Sequence, residues 1–174
     1  CVDERLTYLV TELEFNSAIL DGNVLISRST LQDITSLESI SVKSKWDTRY
    51  YNDENFPRDR LKKFYSEWVK NSVSGDLDHM VFHIKDAGTI VGFVTIKKGS
   101  NNIGPIGLIT VAEEAQGRGF GLQLAAYAVN ILLNDFGCAG VEVVTQQKNM
   151  AACKTYEKLG FKIYNNSQWL HKWI

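Results

Sequence analysis

Apolar residues recur with two different periods along this chain, and the points where the period changes delimit its elements. Leu31, Ile34, Leu37 and Ile40 follow a near-helical spacing, with Ser29-Thr30 ahead of them as an N-cap. Pro57 suits the first turn of a second helix. Its Leu61, Phe64, Trp68 and Val69 share a face, while Arg58, Lys62, Lys63, Glu67 and Lys70 lie largely elsewhere. Between Met80 and Lys98 the period falls to two. Val81, Phe82 and Ile84, a turn at Asp86-Ala87-Gly88-Thr89, and a run from Ile90 to Ile96 predict a β-hairpin. Residues 106–111 predict a third strand, after a turn-rich connection from Gly99 to Pro105. A helix follows over about 119–136, burying Leu122, Ala125, Ala126, Val129, Leu132 and Leu133 and stopped by Gly137 and Gly140. Val141-Glu142-Val143-Val144 is the next strand and residues 149–159 the next helix, ended by Gly160. Residues 161–164 and 168–173 read as a closing pair of strands.

The start of the chain patterns poorly. Residues 1–22 read as an amino-terminal remnant or extension, with a turn at Asp21-Gly22-Asn23 before a short strand at Val24-Leu25-Ile26. Residues 23–174 read as one domain. Residues 46–56, polar and aromatic without a period, predict a loop. Helices first, a hairpin, then strand–helix–strand–helix–strand is an α+β order with one βαβ crossover.

Length and composition fit this picture. The 174 residues suit a single domain, and 44 % hydrophobic with 22 % charged residues excludes a disordered or fibrous chain. A net charge of −1 gives no general attraction to nucleic acid or to an anionic membrane, and no apolar run reaches the length of a spanning helix. The chain begins Cys-Val-Asp-Glu-Arg, with neither Met nor a signal segment, and so reads as a piece of a longer one. Cys1, Cys138 and Cys153 form no CxxC pair and are odd in number. Neither a zinc site nor a disulfide framework is indicated, and a reducing cytoplasm is the expected compartment.

Two segments carry chemistry. The first, Gln116-Gly117-Arg118-Gly119-Phe120-Gly121, places three glycines between a strand and an apolar helix, where exposed N–H groups and the helix dipole suit a pyrophosphate and Arg118 adds a full positive charge. Its G-x-G-x-G spacing is neither that of a P-loop nor that of a dinucleotide fingerprint, and a purely structural turn is the competing reading. In the second, Asn149, Ala152 and Tyr156 fall at i, i+3 and i+7, on one helical face, with Asn149 a good N-cap. A capped amphipathic helix with an ordinary aromatic is the alternative.

Together the two segments resemble the Gcn5-related N-acetyltransferase (GNAT) family over roughly residues 24–174. Gln116, Gly119 and Gly121 match its Q/R-x-x-G-x-G/A signature. Asn149, Ala152, Tyr156, Gly160 and Phe161 match its later N-x-x-A-x-x-x-Y-x-x-x-G-F pattern. The resemblance implies a GNAT fold, a mixed and mostly antiparallel sheet flanked by helices. It also implies acetyl-coenzyme A (acetyl-CoA) as co-substrate, its pyrophosphate at residues 116–121 and its pantetheine and thioester along Asn149, Ala152 and Tyr156. Backbone N–H groups of the strand holding Ile109 and Val111 would take the thioester carbonyl, with no metal. Tyr156 is then the expected general acid for the leaving thiolate, since a phenol of pKa about 10 is protonated at neutral pH.

Residues 64–73 and 75–79, with Gln168-Trp169-Leu170, are further similar to bacterial acetyltransferases of nucleotide-linked amino-dideoxy sugars. That similarity implies a small-molecule amine acceptor on a nucleotide sugar. Arg49, Tyr50 and His79 are candidate acceptor contacts, Tyr51 stands beside them, and His79 is also a candidate base. Glu113 and Glu114 read as solvated, and His83 and His171 as weaker candidates than His79. A protein N-terminus, a polyamine or an antibiotic amine as acceptor, and a non-catalytic acyl-CoA-binding module, stay as alternatives. A homodimer is a candidate assembly.

Overall fold

The computed structural model describes residues 2–12, 25–44, 46, 48, 50–99, 101–170 and 172. The turn expected at residues 21–23, Val24, and positions 171 and 173 of the last expected strand lie outside them. Among the described residues, seven strands form one sheet: β1 (Val2–Val10), β2 (Leu25–Arg28), β3 (Met80–Asp86), β4 (Thr89–Ile96), β5 (Ile103–Val111), β6 (Gly140–Gln146) and β7 (Lys162–Leu170), in the spatial order β2-β3-β4-β5-β6-β1-β7. Among these strands, β5 and β6 alone pair in parallel as neighbours, so the sheet is mixed and mostly antiparallel.

Helices α1 (Ile34–Lys43) and α2 (Arg58–Ser74) cover one face; α3 (Phe120–Asn130) and α4 (Met150–Lys158) cover the other. Leu37, Ile40, Tyr65 and Val69 pack on Val81, Phe93 and Leu108 on the first face. Leu124, Val129, Leu132 and Tyr156 pack on Val94, Ile96, Ile106 and Val143 on the second. The α+β expectation holds, but the expected single crossover is corrected: among the described residues there are two, β5–α3–β6 between neighbours and β6–α4–β7 passing over β1, because β6 and β7 both run antiparallel to β1 and so parallel to each other.

Local chemistry sets the boundaries. Positive φ at Ala87 (45°) and Gly88 (84°) makes the two-residue turn whose twist matches the β3–β4 hairpin. Asp33 accepts from the Thr30 N–H at 2.8 Å, closing a capping box, but Leu31–Asp33 is a 3₁₀ turn and α1 proper starts at Ile34. The apolar face of α2 is rotated from the expected one. Leu61, Tyr65, Val69 and Ser72 are buried, Trp68 is half-buried, and Phe64 stays 43 % exposed.

Two further readings are corrected. Residues 2–10 are not peripheral: β1 lies inside the sheet, antiparallel to β6 on one side and β7 on the other. The polar run Asp3-Glu4-Arg5 obscures its alternation, whereas Leu6, Tyr8 and Val10 are buried against the second core. The closing pair of strands is one strand. Asn165 and Asn166 pair with Thr7 and Leu6 instead of turning, and a register shift between Thr7 and Tyr8 absorbs the extra residue Tyr164.

If β1 is integral, Tyr8→Ala should destabilise the protein by about 3–5 kcal/mol, the usual cost of deleting a buried aromatic ring. Urea unfolding followed by circular dichroism measures this, and a loss well under 1 kcal/mol would mean that the strand is dispensable.

Candidate active site

The site begins where two parallel strands part. The β5–β6 ladder runs from Ile103↔Gly140 to Ile106↔Val143 and stops, although β5 continues to Val111 and β6 to Gln146. Its cause lies on the other edge of β5. Val94 and Ile96 of β4 pair with Ile109 and Ile106, so β5 spends three residues where β4 spends two. Gly107 sits in that bulge, where a Cβ would lie 2.5 Å from Thr95 Oγ1, and the Thr95 hydroxyl accepts the Leu108 N–H at 2.9 Å. Leu108 consequently joins the α1–α2 core although Ile106 belongs to the opposite one.

The bulge also fixes which backbone groups face the gap. Leu108 N–H points to Thr95 and Ala112 N–H donates to Val91 O at 2.8 Å, both on the β4 side. Alternation along the strand therefore directs the N–H groups of Ile109 and Val111 toward the split, where no strand pairs them. A cavity of about 920 Å³ runs through the split and is lined from both faces of the sheet.

On the α3–α4 side, Gln116, Gly117, Gly119, Phe120 and Gly121 line the cavity. Gly117 (φ 76°) and Gly119 (φ 85°) carry the chain from β5 into α3 in a left-handed conformation, and a Cβ on either would meet nothing within 4 Å. The helix start thus offers backbone N–H groups beside open space, the arrangement that anions occupy. Gln116 Nε2 donates to Val111 O at 3.1 Å and closes the end of β5. Arg118 departs from its expected role. Its guanidinium lies 2.6 Å from Asp86 Oδ2 and over the Phe120 ring, so its charge is committed to the hairpin turn and the residue does not line the cavity.

Asn149 caps α4, accepting the Ala152 N–H at 3.2 Å. Asn149, Ala152 and Tyr156 all line the cavity, as their shared face predicts. Tyr156 is 2 % exposed, between Tyr8 at 5.7 Å and Phe161 at 5.6 Å. Burial, with Cys153 and Tyr8 adding to it, pushes its hydroxyl well above the ordinary phenol value.

On the α1–α2 side the wall is aromatic. Trp46 and Tyr65 stack at 4.6 Å with 4° between their planes, and Tyr50, Phe64 and Trp68 extend the surface. Three polar ends are tied inward. Trp46 Nε1 donates to Ser41 O (2.8 Å), Tyr65 Oη to Thr48 Oγ1 (3.2 Å) and Trp68 Nε1 to Asp78 Oδ2 (3.2 Å). The rings are held by those bonds and offer apolar faces.

Of the expected acceptor contacts, Tyr50 lines the cavity and Arg49 lies outside the described residues. His79 is away from it, exposed, with Nδ1 accepting the Lys98 N–H at 2.7 Å and its ring near Phe136, because the strand that it precedes runs from the far end of the sheet. Glu113 and Glu114 are exposed and outside the lining. His83 is buried in β3, sharing a hydrogen bond with Ser29, and burial draws its pKa below the ordinary value; His171 is outside the described residues. Asp3 and Arg5 of β1 also line the cavity, and a strand unseen in the sequence gave no signal for them. Trp46, Tyr65 and Trp68 were signalled only by the aromatic density of residues 46–68. Among the described residues there is no His/Cys/Asp/Glu group able to hold a metal, and no helix long and apolar enough to cross a membrane.

Comparison with known proteins agrees with this geometry. The chain is 28 % identical over 173 residues, 97 % of its length, to a dTDP-fucosamine acetyltransferase of Escherichia coli O6:H1, of which it spans 74 %. It is 35 % identical over 85 residues to a mycothiol acetyltransferase of Mycolicibacterium gilvum, a match covering 47 % of this chain and 28 % of that one. A GNAT-family acetyltransferase structure from Colwellia psychrerythraea superposes with a TM-score of 0.65 at 14 % identity, covering 97 % of this chain and 55 % of the other, which shows the fold. The profile described as Acetyltransferase (GNAT) family matches residues 41–161, the stretch holding the bulge, the glycine turn and the Asn149–Tyr156 face, and the protein belongs to that family of acetyltransferases.

Proposed function

We propose that this protein moves the acetyl group of acetyl-CoA onto the amine of a nucleotide-linked 4-amino-4,6-dideoxy sugar. The observation that carries the reading is one cavity passing through the β5–β6 split, with a glycine-lined helix start on one face and an aromatic wall on the other. The donor supplies its acetyl group as a thioester. Residues 116–121 and the start of α3 suit its pyrophosphate, and the freed N–H groups of Ile109 and Val111 suit the thioester carbonyl. Lys154 and Lys158, also lining the cavity from α4, are the cations on that side, where Arg118 is not.

Tyr156 is proposed to protonate the departing sulfur. Its hydroxyl is held above the ordinary phenol value, so the acid form persists throughout the neutral and mildly alkaline range. The acceptor assignment is supported by the aromatic wall, where Trp46, backed by the buried Tyr65, and Trp68 suit a sugar or a base, and by the likeness to the dTDP-fucosamine acetyltransferase. A sugar amine flanked by electron-withdrawing oxygens is also less basic than a lysine amine and loses its proton more readily.

Tyr156→Phe should lower kcat by about 10²–10⁴-fold with acetyl-CoA affinity unchanged, as expected for a general acid. Because its pKa is raised, Tyr156 should produce no alkaline fall in wild-type kcat below about pH 10, whereas near-wild-type turnover by the Phe variant would assign sulfur protonation to water. Gly121 has no left-handed strain, and a Cβ there sits 3.8 Å from Val111, so Gly121→Val should fold normally and weaken acetyl-CoA by about tenfold or more by calorimetry. Unchanged affinity would remove the donor from this turn. Thiol release should be fastest with dTDP- or UDP-linked 4-amino-4,6-dideoxyhexoses among amino sugars, peptides, polyamines and antibiotic amines. Efficient turnover of peptides or polyamines alone would overturn the acceptor and leave the acetyltransferase.

A further inference from the structure

An ammonium acceptor must lose a proton before its nitrogen can attack a thioester, and the groups placed in the cavity restrict which side chain can take it. Among the described residues lining the cavity, the charged side chains are Asp3, Arg5, Lys154 and Lys158, and the phenols are Tyr50, Tyr65 and Tyr156. There is one carboxylate and no histidine in that set. Asp3 is also nearly dry, at 5 % exposed, and the hydrogen bond it receives is a long one, 3.4 Å from Gln146 Nε2.

Its placement follows from the strand register. Arg5 pairs with Gln146 at the end of β6, and the Gln146 carbonyl accepts the Asn149 N–H at 2.9 Å, so Asp3 stands at the mouth of the split beside the entry to α4. Leu6, Tyr8 and Val10 point to the α3–α4 core, and odd positions of the strand take the opposite face, which is the face of the aromatic wall. Asp3 therefore looks into the acceptor half of the cavity, across from Trp46, Tyr65 and Trp68. Tyr156 and the glycine turn belong to the donor half.

We infer that Asp3 receives the ammonium of the acceptor and takes its proton, which makes it a catalytic base supplied by the amino-terminal strand. This rests on the acetyl transfer proposed above, but not on the family pattern, since Asp3 lies outside the matched residues 41–161. The ammonium N–H bond breaks and its proton passes to Asp3 and then to water. The freed nitrogen lone pair forms the C–N bond as the C–S bond breaks. Sulfur takes the proton of Tyr156, and the second proton lost by nitrogen returns through solvent to the tyrosine, for a net release of one proton per turnover.

The test compares wild type, Asp3→Asn and Asp3→Glu with acetyl-CoA and dTDP-4-amino-4,6-dideoxygalactose, by thiol release from pH 6 to 10. Near neutral pH, Asp3→Asn should lose about 10²–10⁴-fold in kcat/KM, with acetyl-CoA affinity and the unfolding midpoint kept and partial recovery in Asp3→Glu. The deficit should narrow as pH rises, because the amine then arrives neutral and needs no base. The facing groups leave that trend intact. Arg5 stays protonated, Lys154 and Lys158 are common to all three proteins, and Gln146 of β6 and Trp169 of β7 are neutral. A loss that is constant across pH would reduce Asp3 to a structural part, and near-wild-type kcat/KM in Asp3→Asn would overturn the assignment. Wild-type turnover and acetyl-CoA affinity report on acetyl transfer, while the variant ratio reports on Asp3, so the two ideas fail separately.

Discussion

The structure turns on a single mismatch, three residues of β5 set against two of β4. The extra residue is accommodated because Gly107 has no side chain where Thr95 Oγ1 sits, and because Thr95 accepts the N–H that the bulge takes out of the ladder. Buried backbone donors must be satisfied, so this hydroxyl makes the bulge affordable. Everything functional is downstream of it. The strand veers from β6, the N–H groups of Ile109 and Val111 lose their partners, and the two faces of the sheet become connected. A regular β5 would have closed the ladder and filled the cavity with backbone.

The same region is braced from the α2 side. Asp78 is buried and accepts from Ser72 Oγ at 2.7 Å and from Trp68 Nε1, while its carboxylate oxygens lie about as close to a Gly107 Cβ as ordinary packing permits. One carboxylate thus holds an aromatic of the wall and stands on the side-chain side of the bulge glycine. A buried polar group satisfied by two hydrogen bonds is costly to disturb, which fixes the Trp68 ring beside β5. From the opposite side β1 plugs the sheet between β6 and β7 and brings Tyr8 against Tyr156.

Much of this could be read from the sequence, and the failures have physical causes. The hairpin, the β5–α3–β6 crossover, the Asn149 cap and the shared face of Asn149, Ala152 and Tyr156 depend on local signals such as period, turn residues and capping geometry and are legible, whereas β6–α4–β7 is a crossover only because β1, unseen in the pattern, lies between its strands. β1 was missed because its first residues are polar and its partners, β6 and β7, are more than a hundred residues away. β7 was split in two because paired asparagines read as a turn until a partner strand claims them. Arg118 looked like a phosphate ligand beside glycines, yet Asp86 in the hairpin turn captures it, a contact between segments 32 residues apart. His79 looked like a base because histidine usually is the candidate at neutral pH, but its strand begins at the wrong end of the sheet.

Acetyl transfer asks for a group that gives a proton to sulfur and one that takes a proton from nitrogen, and a phenol and a carboxylate differ enough in ordinary pKa, about 10 against about 4, for each to keep its own state at neutral pH. The sheet also separates their surroundings. Tyr156, the proposed acid, sits in the α3–α4 core among Tyr8, Phe161 and Cys153, where burial favours the neutral phenol. The carboxylate proposed as base is carried on the opposite face, near Gln146 and Arg5. The proposed roles follow first from the kind of side chain, and burial of the phenol adds to its hold on the proton. On this view the split is more than an opening for the thioester. It joins the face that carries the proposed acid to the face that carries the proposed base.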